Sequence, residues 1–177
     1  IIENHKKETY LRMIDIGTGT GCIGLSIKDA LPSCSMTLLD ISLEALELSQ
    51  SNAIHLKAPV KTLLKDVLSL DELPETYDVI VSNPPYVRNL EKEEIHSNVL
   101  EHEPYLALFV DDTNALIFYR KILELAQKYL KPEGTLYFEI NQYLPQEMKA
   151  LAKEKGFESD ILKDLNGNYR MMKCVRT

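Results

Sequence analysis

Short apolar runs alternate along the chain with longer stretches whose apolar positions recur every three or four residues. Continuous apolar runs are typical of strands buried on both faces of a parallel sheet, and the longer stretches are typical of helices that pack against it. The pattern predicts strands at 11–16, 35–39, 60–64, 77–81, 135–140, 157–162 and 169–175, and helices at 22–31, 42–56, 114–130 and 145–155.

The order of these elements predicts an α/β fold with a Rossmann-like, mostly parallel sheet of seven strands. The first four strands follow one another with βαβ spacing, so we expect them to be parallel. Ser42 is placed to cap the helix after the second strand, and Pro132 and Gly134 are expected to end the helix at 114–130. The last two strands are joined through Asn166-Gly167-Asn168 as a hairpin, which leaves one antiparallel strand in the C-terminal part of the sheet.

Size and charge favour one domain and argue against nucleic acid as a partner. With 177 residues, 45% of them hydrophobic, the chain can bury one good core. Its formal net charge is −7, and its Lys and Arg residues are scattered. Because affinity for nucleic acid comes mostly from clustered basic contacts to phosphate, we expect no direct nucleic-acid binding.

Cysteine usage and hydropathy favour the cytoplasm. Cys22, Cys34 and Cys174 are far apart without paired spacing, so neither a disulfide framework nor a metal site is expected. No apolar stretch approaches the roughly 20 residues that span a bilayer, and no signal-peptide pattern opens the chain. We therefore expect a cytoplasmic protein with no membrane partner. The irregular, charged segment 87–113 is typical of a lid or binding loop.

The tetrapeptide Asn83-Pro84-Pro85-Tyr86 directly follows the fourth strand. Each proline fixes its own backbone and restricts the residue before it, so Asn83 and Pro84 are held extended. The loop offers mainly acceptors, the Asn83 side-chain oxygen and the Pro84 carbonyl, with the flat Tyr86 ring beside them. Two acceptors suit a planar group bearing an NH2. They would orient its nitrogen and stabilise the positive charge that develops as the nitrogen attacks an electrophile.

The second motif, Asp15-Ile16-Gly17-Thr18-Gly19-Thr20-Gly21, lies between the first strand and the first helix and predicts a site for a nucleoside cofactor. Gly19, Gly21 and Gly24 also satisfy the dinucleotide pattern, which by itself is a weak signal. Asp15 would repel a pyrophosphate but suits a cofactor with a cationic sulfonium and an amino-acid part, as in S-adenosylmethionine. Alternatively, Asp15 only orients the loop.

Two more acidic residues follow the second and third strands. Asp40 is placed to accept from a ribose hydroxyl pair, or else only caps the helix that begins near Ser42. Asp66 is placed to accept from the adenine amino group, or else only forms a turn. Val67 beside it is expected to pack on the adenine face. The ends of the first four strands thus predict one row of cofactor and substrate contacts.

At this point the chain resembles the release-factor glutamine methyltransferases, which methylate the side-chain amide of a glutamine in a Gly-Gly-Gln loop. The glycine motif is shared by many methyltransferases, and Asn-Pro-Pro-Tyr is shared with adenine-N6 and guanine-N2 enzymes. The Glu103-Pro104 segment and the terminal segment from Asp164 to Arg170 are typical of the glutamine enzymes. The resemblance is carried by Asp15 to Gly21, Val81 to Val87, Glu103-Pro104 with Leu106-Ala107-Leu108, Phe118-Tyr119-Arg120, Glu139-Ile140 with Gln142, and Asp164-Leu165 with Arg170.

The resemblance implies a class I S-adenosylmethionine-dependent methyltransferase fold and a set of site residues. Residues 1–177 would be the catalytic domain, without the helical substrate-binding domain that precedes it in the family. Asn83, Pro84 and Tyr86 would be catalytic, and Asn83, Pro84, Pro85 and Tyr86 would bind the glutamine. Together with the residues inferred above, the expected cofactor-binding set is Gly17, Thr18, Gly19, Thr20, Gly21, Asp40, Asp66, Val67 and Asn83.

The implied reaction transfers a methyl group from S-adenosylmethionine to the glutamine amide nitrogen and leaves S-adenosylhomocysteine. The implied protein partners are peptide chain release factors, and we expect a monomer. Three alternatives stay open: an adenine-N6 DNA or RNA methyltransferase, a dinucleotide-dependent dehydrogenase and a binding module without catalysis.

Overall fold

The computed structural model of the chain describes residues 1–88, 109–110 and 114–177. Most of the segment expected to form a lid or binding loop, including Glu103-Pro104 and Leu106-Ala107-Leu108, lies outside the described residues.

Five α-helices and nine strands are formed by the part of the chain that the structure describes. The helices are α1 (Ile2–His5), α2 (Cys22–Ala30), α3 (Leu43–His55), α4 (Ile117–Tyr129) and α5 (Pro145–Glu154). The strands are β1 (Arg12–Ile16), β2 (Ser35–Asp40), β3 (Lys61–Leu64), β4 (Tyr77–Ser82), β5 (Val87–Arg88), β6 (Phe109–Val110), β7 (Leu130–Glu139), β8 (Phe157–Lys163) and β9 (Tyr169–Arg176).

Among the described residues, seven of these strands form one sheet in the order β3-β2-β1-β4-β7-β9-β8. β1 to β4 and β7 are parallel, and β9 runs antiparallel between β7 and β8. The predicted sheet, with its one antiparallel strand and closing hairpin, is confirmed. From β1 the chain runs outward to β3 and then returns to place β4 on the other side of β1, so the strand order reverses between β1 and β4. Ligands of open α/β sheets bind at such a reversal, beyond the carboxyl ends of the strands.

Apolar layers cover both faces of the sheet. One layer lies between the sheet and the helices α4 and α5, and includes Tyr119, Ile122 and Phe138. The other lies against α2 and α3, and includes Met13 and Leu38. Because successive side chains of a strand point to opposite faces, neighbouring residues of β1 and β2 contribute to different layers. The layers hold the sheet rigidly, so the loops that leave its strand ends start from fixed positions.

The junction between α4 and β7 differs from the prediction. The helix was expected from 114 and begins at Ile117, and the strand was expected from 135 and begins at Leu130. Pro132 does not prevent strand conformation, because the pairing of β7 with β4 is irregular here and resumes at Val79 and Thr135. A Cβ atom on Gly134 would lie 2.8 Å from the Leu130 side chain and 3.0 Å from the Asp78 carbonyl oxygen, so the backbones are close at this bulge.

Candidate active site

Hydrogen bonds connect the carboxyl ends of the first four strands. The Leu39 carbonyl at the end of β2 accepts from the amides of Gly17 and Thr18 at 2.8 and 3.0 Å. The Lys65 amide, just past β3, donates to the Asp40 carbonyl at 2.9 Å. The Ser82 hydroxyl at the end of β4 donates to the Ile16 carbonyl at 2.7 Å. The row of strand ends expected from the sequence is therefore a connected structure.

The glycine loop, residues 17–21 after β1, and the helix α2 that follows it each need a glycine, for different reasons. At Gly17 the backbone has φ of +71°, in the left-handed region that residues with a side chain rarely adopt. At Gly24, in α2, the constraint is space: a Cβ atom would lie 2.5 Å from Leu38 Cδ2 and 3.1 Å from Asp15 Oδ2. Gly24 therefore lets α2 pack closely on the sheet and brings its first turn to the Asp15 carboxylate.

Asp15 is 1% exposed at the floor of the glycine loop. Its Oδ2 atom accepts from the Thr18 hydroxyl at 2.7 Å and from the Gly24 amide at 2.9 Å. Its Oδ1 atom is buried and finds no hydrogen-bond partner among the described residues. Burial, with a smaller contribution from the neighbouring Asp40 charge, raises the pKa of Asp15 to about 6 despite the two hydrogen bonds. The Oδ2 atom thus orients the loop, which is the alternative role considered for Asp15 from the sequence.

The Asp40 carboxylate is held by two backbone amides. Its Oδ2 accepts from the Gly19 amide at 2.8 Å and its Oδ1 from the Ser42 amide at 2.9 Å. Ser42 itself caps α3, because its hydroxyl accepts from the Ala45 amide at 3.2 Å, as predicted. Each carboxylate oxygen can accept a second hydrogen bond. The local bonds therefore fix Asp40 beside the glycine loop without using up its capacity to bind a diol.

Asp66 and Val67 are shaped largely by local structure. The Asp66 Oδ1 atom accepts from the Leu68 amide at 2.9 Å and caps a single 3₁₀ turn, Val67–Ser69. This is the turn-forming role considered from the sequence. Val67 is 9% exposed and belongs to the core layer that also contains Leu39 and Leu73. Asp66 is only partly buried, whereas the buried Val67 offers little surface to a ligand.

The Asn83-Pro84-Pro85-Tyr86 loop leaves β4 next to the glycine loop. A Cβ atom on Gly17 would lie 4.0 Å from the Asn83 carbonyl oxygen. Asn83 is exposed, Pro84 is buried, and Pro85 and Tyr86 are partly buried. The part of the chain that the structure describes supplies no hydrogen-bond partner for the Asn83 side chain or the Pro84 carbonyl. Within the described residues, neither predicted acceptor has a hydrogen-bond partner, and both lie at the point where the strand order reverses.

Tyr86 is bonded to side chains from two other strands. Its hydroxyl donates to Glu139 Oε1 at 2.7 Å and accepts from Arg170 Nη1 at 3.2 Å. The Arg170 guanidinium carbon lies 5.6 Å from the centre of the Tyr86 ring. The Asn141 side-chain amide donates to the Tyr86 carbonyl at 3.0 Å. Burial, followed by the Glu139 carboxylate, raises the pKa of Tyr86, so its phenol stays protonated at neutral pH.

Sequence reasoning named Glu139 and Arg170 only as part of the resemblance, without deciding whether they touch the substrate or are structural. It did not consider Asn141. The available signal was position: Glu139 ends a parallel strand, where α/β sheets present residues to ligands. Arg170 lies at the start of β9, and because β9 is antiparallel its beginning reaches the same edge.

Neither a membrane-spanning helix nor a cluster of metal-ligating side chains is found in the described parts of the chain. Every helix there is too short or too polar to cross a membrane. No three or more His, Cys, Asp or Glu side chains are grouped there so that they could hold a metal ion.

Comparison with known proteins identifies the family to which the chain belongs. Residues 1–106, well over half of the chain, match the family described as methyltransferase small domain. The chain belongs to this family. The match covers β1 to β4, the glycine loop and the Asn-Pro-Pro-Tyr loop, so the family segment contains both motifs on which the sequence interpretation depended.

Curated relatives of the chain bear the name that the resemblance predicted. The chain is 51% identical to a release factor glutamine methyltransferase of Flavobacterium psychrophilum, over 92% of this chain and 58% of the relative. It is 45% identical to an enzyme of the same name from Bacteroides thetaiotaomicron, over 93% of this chain and 60% of the relative. The chain thus spans about three fifths of the length of these relatives.

Solved structures confirm the fold class. A methyltransferase from Pyrococcus furiosus superposes with a TM-score of 0.69 at 20% identity, covering 96% of this chain and 77% of the other. At that identity the likeness concerns the architecture alone. The class I methyltransferase fold expected from the sequence is therefore confirmed for this family member.

Proposed function

We propose that the chain methylates the side-chain amide nitrogen of the glutamine in the Gly-Gly-Gln loop of peptide chain release factors, with S-adenosylmethionine as the methyl donor. The observation that carries the proposal is a pair of acceptors beside the glycine loop, the Asn83 side chain and the Pro84 carbonyl, for which the described residues supply no hydrogen-bond partner. A primary amide has two N–H groups to donate to such a pair. The names of the relatives support glutamine as the group that is bound.

The residues present fit S-adenosylmethionine. The buried Asp15 Oδ1 atom, which lacks a hydrogen-bond partner among the described residues, suits the cationic amino-acid end of the cofactor. Asp40, fixed by the Gly19 and Ser42 amides, would accept from the ribose hydroxyls. Asp66 would accept from the adenine amine at its partly exposed edge. Gly17, Thr18, Gly19, Thr20 and Gly21 would line the approach to the cofactor, with Asn83 at its methyl end and Val67 at most touching the adenine edge.

When bound, the cofactor supplies a methyl group activated by its attachment to a sulfonium. The chain's own residues then have to orient the amide and stabilise charge. Asn83 and Pro84 accept the two amide N–H groups and turn the nitrogen lone pair toward the methyl group. The same acceptors stabilise the positive charge that develops on the nitrogen. Since the donor is already activated, no general base is needed, and the extra proton leaves to solvent.

The protonated Tyr86 is unsuited to act as a base. Its hydroxyl already donates to Glu139, and its raised pKa keeps the proton on the oxygen at neutral pH. The ring and Pro85 would instead form the wall against which the planar amide lies. In this role Tyr86 contributes shape and orientation to catalysis rather than proton transfer.

An adenine-N6 methyltransferase is not favoured. The same tetrapeptide would bind an adenine amine, but the curated relatives are named for glutamine, and the net charge of −7 gives little attraction for a polyanion. We accordingly propose release factors as the protein partners, a monomeric enzyme without direct nucleic-acid binding, and the cytoplasm as its location.

The proposal can be tested by methyl transfer to a matched pair of substrates. The protein as its gene encodes it is incubated with labelled S-adenosylmethionine and a release factor, either wild type or with the Gly-Gly-Gln glutamine replaced by asparagine. We expect label on the wild-type factor and none on the variant. Equal labelling of the two would contradict glutamine as the acceptor, and labelling of adenine in an oligonucleotide control would favour the nucleic-acid alternative.

A further inference from the structure

We propose that Glu139 and Arg170 are positioning residues for this reaction, which set the geometry of the Asn83 and Pro84 acceptors by fixing the Tyr86 side chain. The inference rests on the proposed function and adds two residues that come from distant parts of the chain. Neither is placed in contact with the substrate. Each acts through Tyr86, whose hydroxyl lies between the Glu139 carboxylate and the Arg170 guanidinium.

The two acceptors lie between two fixed points of the chain. On one side, the buried Ser82 hydroxyl donates to the Ile16 carbonyl at 2.7 Å and fixes the end of β4 to β1. On the other side, Tyr86 is held at 2.7 Å by Glu139. Only Asn83, Pro84 and Pro85 lie between, and the prolines remove most backbone freedom. A shift of Tyr86 would therefore move the Pro84 carbonyl and the Asn83 side chain with it.

Arg170 is itself held in place. Its carbonyl accepts from the Ile140 amide at 2.8 Å, and its guanidinium lies 3.9 Å from the Asp164 carboxylate. The same guanidinium donates to the Tyr86 hydroxyl and lies over the Tyr86 ring. Only a planar, forked cation can make the hydrogen bond and the ring contact together, so lysine would be a poor replacement.

A positioning role for Glu139 and a role as a base predict different effects of Glu139→Gln and Glu139→Ala. If Glu139 acted as a base, Glu139→Gln would be as damaging as Glu139→Ala, because neither side chain can take up a proton. If Glu139 only holds the Tyr86 hydroxyl, Glu139→Gln keeps an accepting oxygen and should retain most activity. The effect should also depend on Tyr86, because two residues that act through one contact are not additive.

The test is a double-mutant cycle on methyl transfer to a release factor. We expect Glu139→Ala to lower kcat roughly 10- to 100-fold, since misplacement of a positioned group by about 1 Å can cost that much. For Glu139→Ala we expect the Kd of S-adenosylmethionine to stay within about threefold of the wild-type value. For Glu139→Gln we expect kcat to stay within about fivefold of the wild-type value. In a Tyr86→Phe background, Glu139→Ala should add less than about threefold. Glu158→Ala, at an exposed glutamate of β8, is the matched control.

Two results would overturn the inference: equal losses for Glu139→Gln and Glu139→Ala, or the same loss from Glu139→Ala with and without the Tyr86 hydroxyl. A readout independent of turnover is the NMR chemical shift, at neutral pH, of tyrosine labelled with ¹³C at Cζ, with the Tyr86 signal assigned by Tyr86→Phe. Because the Tyr86 hydroxyl donates to Glu139 and accepts from Arg170, Glu139→Ala and Arg170→Met should each shift that signal. An unchanged Tyr86 signal in both variants would refute the network. Absence of glutamine methylation by the wild type would instead refute the proposed function.

Discussion

The buried carboxylate of Asp15 makes the free energy of unfolding depend on pH in a direction that is unusual for an acidic residue. We consider Asp15→Asn, which keeps the shape and an oxygen to accept from Thr18 and Gly24 but cannot ionise. Burial raises the pKa of Asp15 from 3.8 to about 6 in the folded chain. The difference corresponds to about 3 kcal/mol, at 1.36 kcal/mol for each pKa unit.

The sign follows from which state binds more protons. Between about pH 4 and pH 6, Asp15 is protonated in the folded chain and ionised in the unfolded chain, so the folded state binds more protons. The free energy of unfolding therefore falls as the pH rises through this window, and the loss is complete above about pH 6. Relative to Asp15→Asn, the wild type should lose up to about 3 kcal/mol of stability between pH 4 and pH 7.5.

Urea unfolding of both proteins at several pH values measures this difference, because titration of all the other groups is common to the pair and cancels. We expect the stability of Asp15→Asn minus that of the wild type to increase by up to about 3 kcal/mol between pH 4 and pH 7.5, on top of a pH-independent difference from the buried amide NH2. A difference that does not change with pH would show that Asp15 does not titrate in the folded chain with a raised pKa, and would refute the reasoning.

The same charge should couple to the cofactor. A cation beside the Asp15 Oδ1 atom favours the ionised form, so the affinity for S-adenosylmethionine should fall by up to about tenfold for each pH unit below about 6. Calorimetry near pH 6 in two buffers of different ionisation enthalpy should detect a proton released on binding. In Asp15→Asn the release should disappear and the affinity should be weaker at pH 7.5. Equal affinity in the two proteins would place the cationic group elsewhere.

Three further predictions concern single contacts. Asn83→Ala should lower kcat for methyl transfer by roughly 10²-fold, while the affinity for S-adenosylmethionine measured by calorimetry stays within about tenfold. Turnover at the wild-type rate would show that Asn83 has no catalytic role. Gly24→Ala should destabilise the fold by roughly 1–3 kcal/mol, because the new Cβ would lie 2.5 Å from Leu38 Cδ2, and an unchanged urea midpoint would show that Leu38 can move aside. Ser82→Ala should cost about 1–3 kcal/mol of stability, because it leaves the buried Ile16 carbonyl without the hydroxyl at 2.7 Å; a neutral result would mean that water replaces it.

The sequence predicted the parts of the fold that depend on local pattern. The alternation of apolar runs and amphipathic stretches placed the strands and most helices within a few residues, and Ser42 was identified as a cap from residue type and position. The strand-end rule placed Asp40 and Asn83 on one edge, and hydrogen bonds between the strand ends confirm that arrangement. These predictions worked because each depends on short stretches of chain.

The contacts around Tyr86 could not be predicted in this way. They depend on β9 inserting between β7 and β8, which no local pattern specifies. The early start of β7 also escaped prediction, because Pro132 and Gly134 normally mark a break, whereas here the irregular pairing with β4 accommodates them. At Asp66 the local pattern was compatible with a ligand contact and with a turn. The bond from the Leu68 amide establishes the turn and leaves the ligand contact a prediction.

The position of β9 inside the sheet also bears on the order of folding. Tyr86 and Arg170 are 84 residues apart in the chain, and the strand that carries Arg170 pairs with β7 on one side and β8 on the other. The residues proposed to bind the cofactor lie on the first four strands and the loops that follow them, whereas the bond from Arg170 to the Tyr86 hydroxyl requires β9 in its place. Under the proposed function, recovery of methyl transfer during refolding would therefore report the insertion of β9 between β7 and β8.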